Sequence, residues 1–127
     1  MNVIGIGTEI IECVRIAKMI ERHGELFLER VYTPAEVNYC SERSSAIQHY
    51  AARWAAKEAV LKAIQGRGRG IRWNEIAIVV EPSGVPTIQL LGRAEAWSKQ
   101  RGIEYFQLSL GRCRTHATAF VIAMKKP

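Results

Sequence analysis

The alternation of hydrophobic and polar residues predicts five strands and four helices. A short run rich in Val and Ile predicts a strand over residues 2–7, and further strands are predicted over residues 76–81, 87–91, 104–110 and 117–124. Helices are predicted over residues 12–22, 45–65 and 94–101, the first and last of them closed by Gly24 and Gly102. The fourth helix begins at Thr33-Pro34-Ala35-Glu36, a sequence typical of a capping box with proline at the first helical position.

The order of these elements indicates the fold class. One strand is followed by helices and then mostly by strands, which favours an α+β fold with an antiparallel sheet packed against a long central helix. The length of 127 residues is typical of one domain, so we expect a single domain over residues 1–127. The sequence shows no internal repeat, low-complexity tract or linker.

Charge and cysteine content narrow the function classes. The net charge of +6 and a pI near 9.6 favour an anionic partner, which could be a nucleic acid, a phosphorylated cofactor or an acidic protein. Cys13, Cys40 and Cys113 are too widely spaced for a zinc or redox motif and are interpreted as reduced thiols. No run is apolar enough for a membrane span or a signal peptide, so a soluble, cytoplasmic protein is expected.

The long helix is the main candidate for chemistry. At about 100° per residue, Arg53, Lys57, Glu58 and Lys62 fall on one half of it, opposite a half rich in alanine. One interpretation is a solvated face with a Glu58–Lys62 ion pair. The other is a phosphate site in which the cations bind phosphate oxygens and Glu58 holds a divalent ion.

Two neighbouring features bear on that choice. The segment Gly66-Arg67-Gly68-Arg69-Gly70 is a basic loop whose glycines permit close backbone approach and whose arginines suit phosphate, although it is not a Walker A loop. A magnesium site needs a second carboxylate, and Glu9, after the first predicted strand, is the best candidate. Glu9 and Glu12 are equally consistent with acids favoured by a helix dipole.

Taken together, these residues resemble the holo-acyl-carrier-protein synthases, the small phosphopantetheinyl transferases. The similarity covers nearly the whole chain, in four blocks: Gly5-Ile6-Gly7-Thr8-Glu9-Ile10-Ile11-Glu12 with Arg15-Ile16, Arg30-Val31-Tyr32-Thr33-Pro34-Ala35-Glu36, Arg53-Trp54-Ala55-Ala56-Lys57-Glu58-Ala59-Val60-Leu61-Lys62-Ala63, and residues 76–80 with Gly84-Val85-Pro86. The block around Glu9 or the block around Glu58 would alone be weak evidence for the family. Both blocks together, at this separation along the sequence, are highly specific for it.

The resemblance implies an enzyme of fatty acid biosynthesis. Such enzymes transfer the phosphopantetheine group of coenzyme A to a serine of an apo acyl carrier protein and release adenosine 3′,5′-bisphosphate. It implies that Glu9 and Glu58 hold Mg²⁺, that Glu58 and Lys62 are catalytic, and that a further set binds coenzyme A: Arg53, Lys57, Gly66, Arg67, Ser109 and Arg112. Family members are usually homotrimers with sites at subunit interfaces.

The resemblance also gives the first helix a role. Arg15, Lys18, Met19 and Arg22 share one face, which without the resemblance is interpreted as solvated. A basic stripe with one methionine suits the acidic surface of a carrier protein.

The chain departs from the family pattern at two positions. The family usually has an aspartate where this chain has Glu9, and a histidine near the position of Arg112. These departures leave open an impaired relative that binds coenzyme A or carrier without transfer. The net charge, the basic loop over residues 66–70 and the stacking surfaces of Trp54 and Trp73 leave open a small basic nucleic-acid-binding module.

Overall fold

The computed structural model describes residues 2–127. Its strands are β1 (Val3–Glu12), β2 (Ile76–Val80), β3 (Pro86–Leu90), β4 (Tyr105–Arg112) and β5 (His116–Met124). Its α-helices are α1 (Cys13–His23), α2 (Glu25–Val31), α3 (Pro34–Ser41), α4 (Ala46–Ile64) and α5 (Gly92–Gln100), and Trp73–Glu75 form a short 3₁₀ helix. Within residues 2–127, no helix combines the length and the apolar character that crossing a bilayer requires.

The predicted α+β class is confirmed, with its antiparallel strands divided between two sheets. The larger sheet has the order β1-β5-β4, while β2 and β3 form a separate antiparallel pair. The predicted long helix is α4, which lies at the centre of the molecule and is buried along most of its length. The capping box at Thr33 and Glu36 is also present at the start of α3.

Two elements differ from the predictions. Strand β1 continues to Glu12 rather than ending at Gly7, because β5 pairs with it over the whole length, from Val3 opposite Met124 to Glu12 opposite His116. Helix α2 was not predicted at all. Gly24, with φ of 54°, turns the chain sharply, and α2 starts at the next residue.

Glycines in β1 allow the sheet to approach α4 closely. A Cβ atom on Gly5 would overlap the carbonyl oxygen of Ala63, and one on Gly7 would overlap the carbonyl oxygen of Ala59. On the neighbouring strand, β5 contributes only small or branched side chains to the same interface, Ala117, Ala119, Val121 and Ala123, all of them buried. Small residues on both elements therefore set the separation of β1 from α4, which we call the β1–α4 seam.

A buried ion pair joins α4 to α3 and β2. Lys57 is fully buried, and its Nζ donates to Glu36 Oε1 at 2.8 Å and to the carbonyl oxygens of Trp73 and Ile76. Glu36 in turn accepts from the backbone N–H groups of Thr33 (2.7 Å) and Ile78 (2.9 Å). Burial lowers the pKa of Lys57, and the Glu36 carboxylate opposes that shift. Every donor of the ammonium has an acceptor, so the pair is satisfied inside the core.

Lys57→Met should destabilise the fold by about 3–5 kcal/mol, because it leaves the Glu36 charge buried without its partner. The free energy of unfolding from urea titration measures this loss. Lys62→Met, which removes a half-exposed lysine from the same helix, is the matched control and should cost no more than about 1 kcal/mol. Equal losses in the two variants would contradict a structural role for Lys57.

Candidate active site

The charged half of α4 does not form one continuous face in the structure. Arg53 and Lys57 lie about 40° apart around the helix axis, whereas Glu58 and Lys62 lie about 140° and 180° from Arg53. Arg53 is 3% exposed and points at α3, and Lys57 is enclosed as described above. Lys62 faces β1, where it pairs with Glu9, and Glu58 faces Arg67 and Trp73. The sequence analysis predicted one charged surface for these four residues, whereas the fold directs Arg53 and Lys57 to one side of α4 and Glu58 and Lys62 to another.

Lys62 pairs with one of the two predicted metal ligands. Its Nζ lies 3.4 Å from Glu9 Oε2 and donates to the carbonyl oxygen of Thr8 at 2.8 Å. Glu58 lies one helical turn before Lys62 on the same face of α4. The β1–α4 seam thus brings Glu9 to Lys62, and α4 holds Glu58 one turn away from that pair.

Glu58 is a buried carboxylate whose two oxygens are both engaged. Its side chain is 4% exposed, Oε2 pairs with the Arg67 guanidinium, and Oε1 accepts from Trp73 Nε1 at 3.0 Å. Arg67 lies on the loop over residues 66–70, which follows α4. Gly66 permits this turn, since a Cβ there would press on the side chains of Ile64 and Ile71.

The donor set beside the β1–α4 seam fits magnesium. Glu9 and Glu58 supply hard carboxylate oxygens, and Mg²⁺ commonly uses one or two protein carboxylates and fills its other positions with water and substrate phosphate. Among residues 2–127 there is no group of three acidic, histidine or cysteine side chains that could enclose a metal. The ion would therefore depend on Glu9, Glu58 and substrate oxygens.

Lys57 requires a correction. The expectation that it binds a coenzyme A phosphate does not agree with this geometry, because its ammonium is enclosed and each of its donors is used within the protein. Its position in the sequence block next to Glu58 reflects the core packing of α4 against α3 and β2.

A second charged group lies towards the start of α4. The guanidinium carbons of Arg43 and Arg53 lie 3.3 and 4.3 Å from the ring centre of Tyr39, and the His49 ring lies 5.7 Å from the same ring. Arg112 donates to Gln48 Oε1 at 3.0 Å, one residue before His49. None of the ion pairs within residues 2–127 involves these arginines, and the buried Nε of Arg53 has no hydrogen-bond partner there.

The arginine cluster, which consists of Arg43, Arg53 and Arg112, carries positive charge that no ion pair within residues 2–127 balances. Burial, followed by the positive charges of Arg112, Arg53 and Arg43, lowers the pKa of His49 to about 4. His49 is therefore neutral near pH 7, and the uncompensated positive charge suits a phosphate group. Arg53 of this cluster lies nine positions, or about 13.5 Å, along α4 from Lys62 and points about 180° away from it around the helix axis.

Ser109 lies apart from both groups. It is exposed on β4 opposite Phe120 of β5, on the sheet face that points away from α4. Because strand side chains alternate, Arg112 points to the other face. Within one chain, Arg53 and Arg112 therefore lie in the same group of side chains, whereas Ser109 lies on the opposite face of the sheet.

The predicted carrier-docking stripe borders a groove of about 660 Å³ between α1, α2 and α4. Arg15, Lys18, Met19 and Arg22 all line it. Its apolar wall includes Leu26, which is 63% exposed, and both Trp54 and Trp73. Trp73 connects the groove to Glu58 through its indole N–H.

Sequence reasoning missed Tyr39, Arg43 and His49, and assigned Trp73 no role beside Glu58. A local signal existed for the first three, because Tyr39 and Arg43, and likewise His49 and Arg53, are four residues apart. No local signal places Trp73 on Glu58, since 15 residues and a loop separate them.

The fold and this site define a class of transferase. Residues 5–121 match the family described as the 4′-phosphopantetheinyl transferase superfamily, and the chain belongs to that superfamily.

Named relatives narrow the class. The chain is 48% identical over 122 residues to the holo-[acyl-carrier-protein] synthase of Rhodopirellula baltica, covering 96% of this chain and 98% of the relative. The crystal structure of the Helicobacter pylori holo-[acyl-carrier-protein] synthase in complex with coenzyme A is 32% identical, with a TM-score of 0.79 over 93% of this chain and 98% of that one. A Bacillus anthracis holo-(acyl-carrier-protein) synthase in complex with CoA (3′,5′-ADP) is 28% identical, with a TM-score of 0.80 over 99% and 100% of the two chains. The predicted family and the prediction of an enzyme are confirmed.

The position of His49 predicts a pH-dependent stability. Its folded pKa of about 4 lies below the ordinary value of 6.5, so the unfolded chain binds the proton first as the pH falls. The free energy of unfolding should therefore decrease between about pH 6.5 and about pH 4, and His49→Gln should reduce that decrease. Urea midpoints across this range measure it, with exposed His23→Gln as the control. An unchanged pH slope in His49→Gln would contradict the assignment.

Proposed function

We propose that this enzyme transfers the phosphopantetheine group from coenzyme A to a serine of an apo acyl carrier protein, in a magnesium-dependent reaction that releases adenosine 3′,5′-bisphosphate. The observation that carries the proposal is the pairing of Lys62 with Glu9 across the β1–α4 seam, one helical turn after Glu58. Solved relatives bound to coenzyme A support the choice of substrate. A role in fatty acid biosynthesis in the cytoplasm belongs to the same proposal.

In this reaction the serine oxygen attacks the phosphorus that carries the pantetheine arm, and the bond from that phosphorus to the nucleotide's phosphate oxygen breaks. Glu58 accepts the serine proton, directly or through a water molecule. Lys62 neutralises the leaving phosphate, and Glu9 keeps the Lys62 ammonium at the site. Magnesium, when bound by Glu9 and Glu58, supplies charge stabilisation for the pyrophosphate.

The arginine cluster provides the nucleotide end of the site. Arg53, Arg43 and Arg112 carry positive charge without a protein carboxylate, which suits a coenzyme A phosphate. Gly66 and Arg67 border the Glu58 end. Because Arg53 and Glu58 point about 140° apart around α4, we assign the cluster of one subunit to the carboxylates of a neighbour.

A homotrimer is part of this proposal, and the outer face of the β1-β5-β4 sheet supports subunit association. Ile6, Ile10 and Phe120 on that face are 61%, 62% and 45% exposed, and Ser109 lies beside them. An apolar sheet face of this kind is a typical interface between copies of a chain. The number three comes from the resemblance to the holo-acyl-carrier-protein synthases.

The groove at α1 is the proposed docking site for the carrier. Arg15, Lys18 and Arg22 provide positive charge for an acidic partner, and Met19 and Leu26 provide apolar anchors. Trp73 lines this groove and donates its indole N–H to Glu58, so the proposed docking groove and the proposed base share one residue.

Glu58→Gln should abolish transfer, by at least about 100-fold, because it removes both a metal ligand and the base without changing the size of the side chain. The enzyme is incubated with coenzyme A, Mg²⁺ and an apo carrier protein, and the intact mass of the carrier is measured. Glu95→Gln, a change in an exposed acid of α5, is the control. Near wild-type turnover by Glu58→Gln would refute the site. A wild-type enzyme that binds coenzyme A without modifying the carrier would indicate the impaired relative.

The same assay tests the shared site. The variants Glu58→Gln and Arg112→Ala should each be inactive by themselves. When subunits of the two variants are mixed and exchanged, the mixed trimers should regain activity, because some of their sites contain a native Glu58 from one subunit and a native Arg112 from its neighbour. No recovery in verified mixed trimers would place each site within one chain.

Arg15→Glu combined with Arg22→Glu should raise the KM for the carrier by about tenfold or more while leaving the KM for coenzyme A nearly unchanged, since charge steers the carrier to α1. Lys125→Glu with Lys126→Glu reverses the same amount of charge at the C-terminus and is the control. Equal effects on both substrates would contradict docking at α1.

A further inference from the structure

Each proposed metal ligand already has a cation from this chain. Glu9 pairs with Lys62, and Glu58 pairs with Arg67. The four formal charges sum to zero, so an arriving divalent ion finds two carboxylates that are already neutralised. A cation bound at Glu58 would also lie close to the Arg67 guanidinium and be repelled by it.

The two protein cations differ in how firmly they are held. Lys62 is anchored a second time by its hydrogen bond to the carbonyl oxygen of Thr8. Arg67 is 61% exposed and lies on the loop over residues 66–70, where Gly68 and Gly70 have φ values of 78° and 72°. Arg67 is therefore the cation that can leave its carboxylate without disturbing the core.

The rest of this loop has a separate attachment. The Arg69 guanidinium lies 4.0 Å from the ring centre of Trp97, and Trp97 Nε1 donates to the carbonyl oxygen of Ile64 at 2.8 Å. Release of Arg67 from Glu58 thus changes one contact of the loop and keeps its attachment to α5. Arg69 provides a matched control on the same loop.

We propose that Arg67 is a counter-ion latch: it holds Glu58 in the free enzyme and competes with the divalent cation for that carboxylate. Cation binding displaces the guanidinium, which becomes available to a phosphate of the incoming substrate. This inference rests on the proposed metal role of Glu58. It couples metal loading to the position of the loop over residues 66–70.

Binding of Mn²⁺ to the full-length protein without coenzyme A, followed by electron paramagnetic resonance, tests the latch. Arg67→Ala should bind Mn²⁺ about twofold to fivefold more tightly than the wild type, as expected when one partly exposed competing ion pair is removed. Arg69→Ala should bind like the wild type. Equal or weaker binding by Arg67→Ala would overturn the latch, and so would an equal gain in Arg69→Ala.

Hydrogen exchange gives a readout independent of affinity. Addition of Mg²⁺ should accelerate amide exchange over residues 66–70 in the wild type, whereas Arg67→Ala should exchange at the faster rate without the cation. No change in the wild type would overturn the latch. Transfer by the wild-type enzyme separates the two ideas. Normal carrier modification by the wild type with equal Mn²⁺ affinities in the two proteins removes the latch alone. Tighter Mn²⁺ binding by Arg67→Ala, together with a wild-type enzyme that does not modify the carrier, removes the proposed reaction alone.

Discussion

The contact of β1 with α4 is the constraint on which the site depends. Gly5 and Gly7 carry no side chain where the carbonyl oxygens of Ala63 and Ala59 approach. This spacing lets Lys62 reach both Glu9 and the Thr8 carbonyl oxygen across the seam. The same feature thus packs the core and brings the Glu9 carboxylate of the strand to Lys62, one turn of α4 after Glu58.

Helix α4 carries two buried cations, Lys57 and Arg53, that differ in how well their polar atoms are hydrogen-bonded. Lys57 forms a buried, fully satisfied pair with Glu36 that ties three elements together. Arg53, four residues earlier, is equally buried, yet its Nε has no hydrogen-bond partner within residues 2–127. Burying a polar group without a partner costs free energy, and such exceptions to local rules concentrate at functional sites.

The features that were predicted correctly from the sequence are those that depend on neighbouring residues. The capping box at Thr33 and the breaker-free run of α4 depend on neighbouring residues, and both were correct. The length of β1 depends on pairing with β5, more than 100 residues later, and was underestimated. The environment of Lys57 depends on Glu36, 21 residues away, so periodicity alone placed this lysine on a solvated or ligand-binding face. No local pattern links Glu9 to α4; Glu9 was chosen because a magnesium site needs a second carboxylate, and the resemblance to a known family implied the same pairing.

The transfer rate of Gly7→Ala tests the central claim most directly, since its new Cβ forces β1 away from α4. Gly111→Ala is the control, because its Cβ would meet only the side-chain oxygen of Thr118, which can move. A misplacement of about 1 Å can cost about 100-fold in rate. We expect Gly7→Ala, at a temperature where circular dichroism shows it folded, to lose at least about tenfold in carrier modification, while Gly111→Ala stays near wild type. A folded Gly7→Ala enzyme with the wild-type rate would contradict the claim that the β1–α4 seam positions the site.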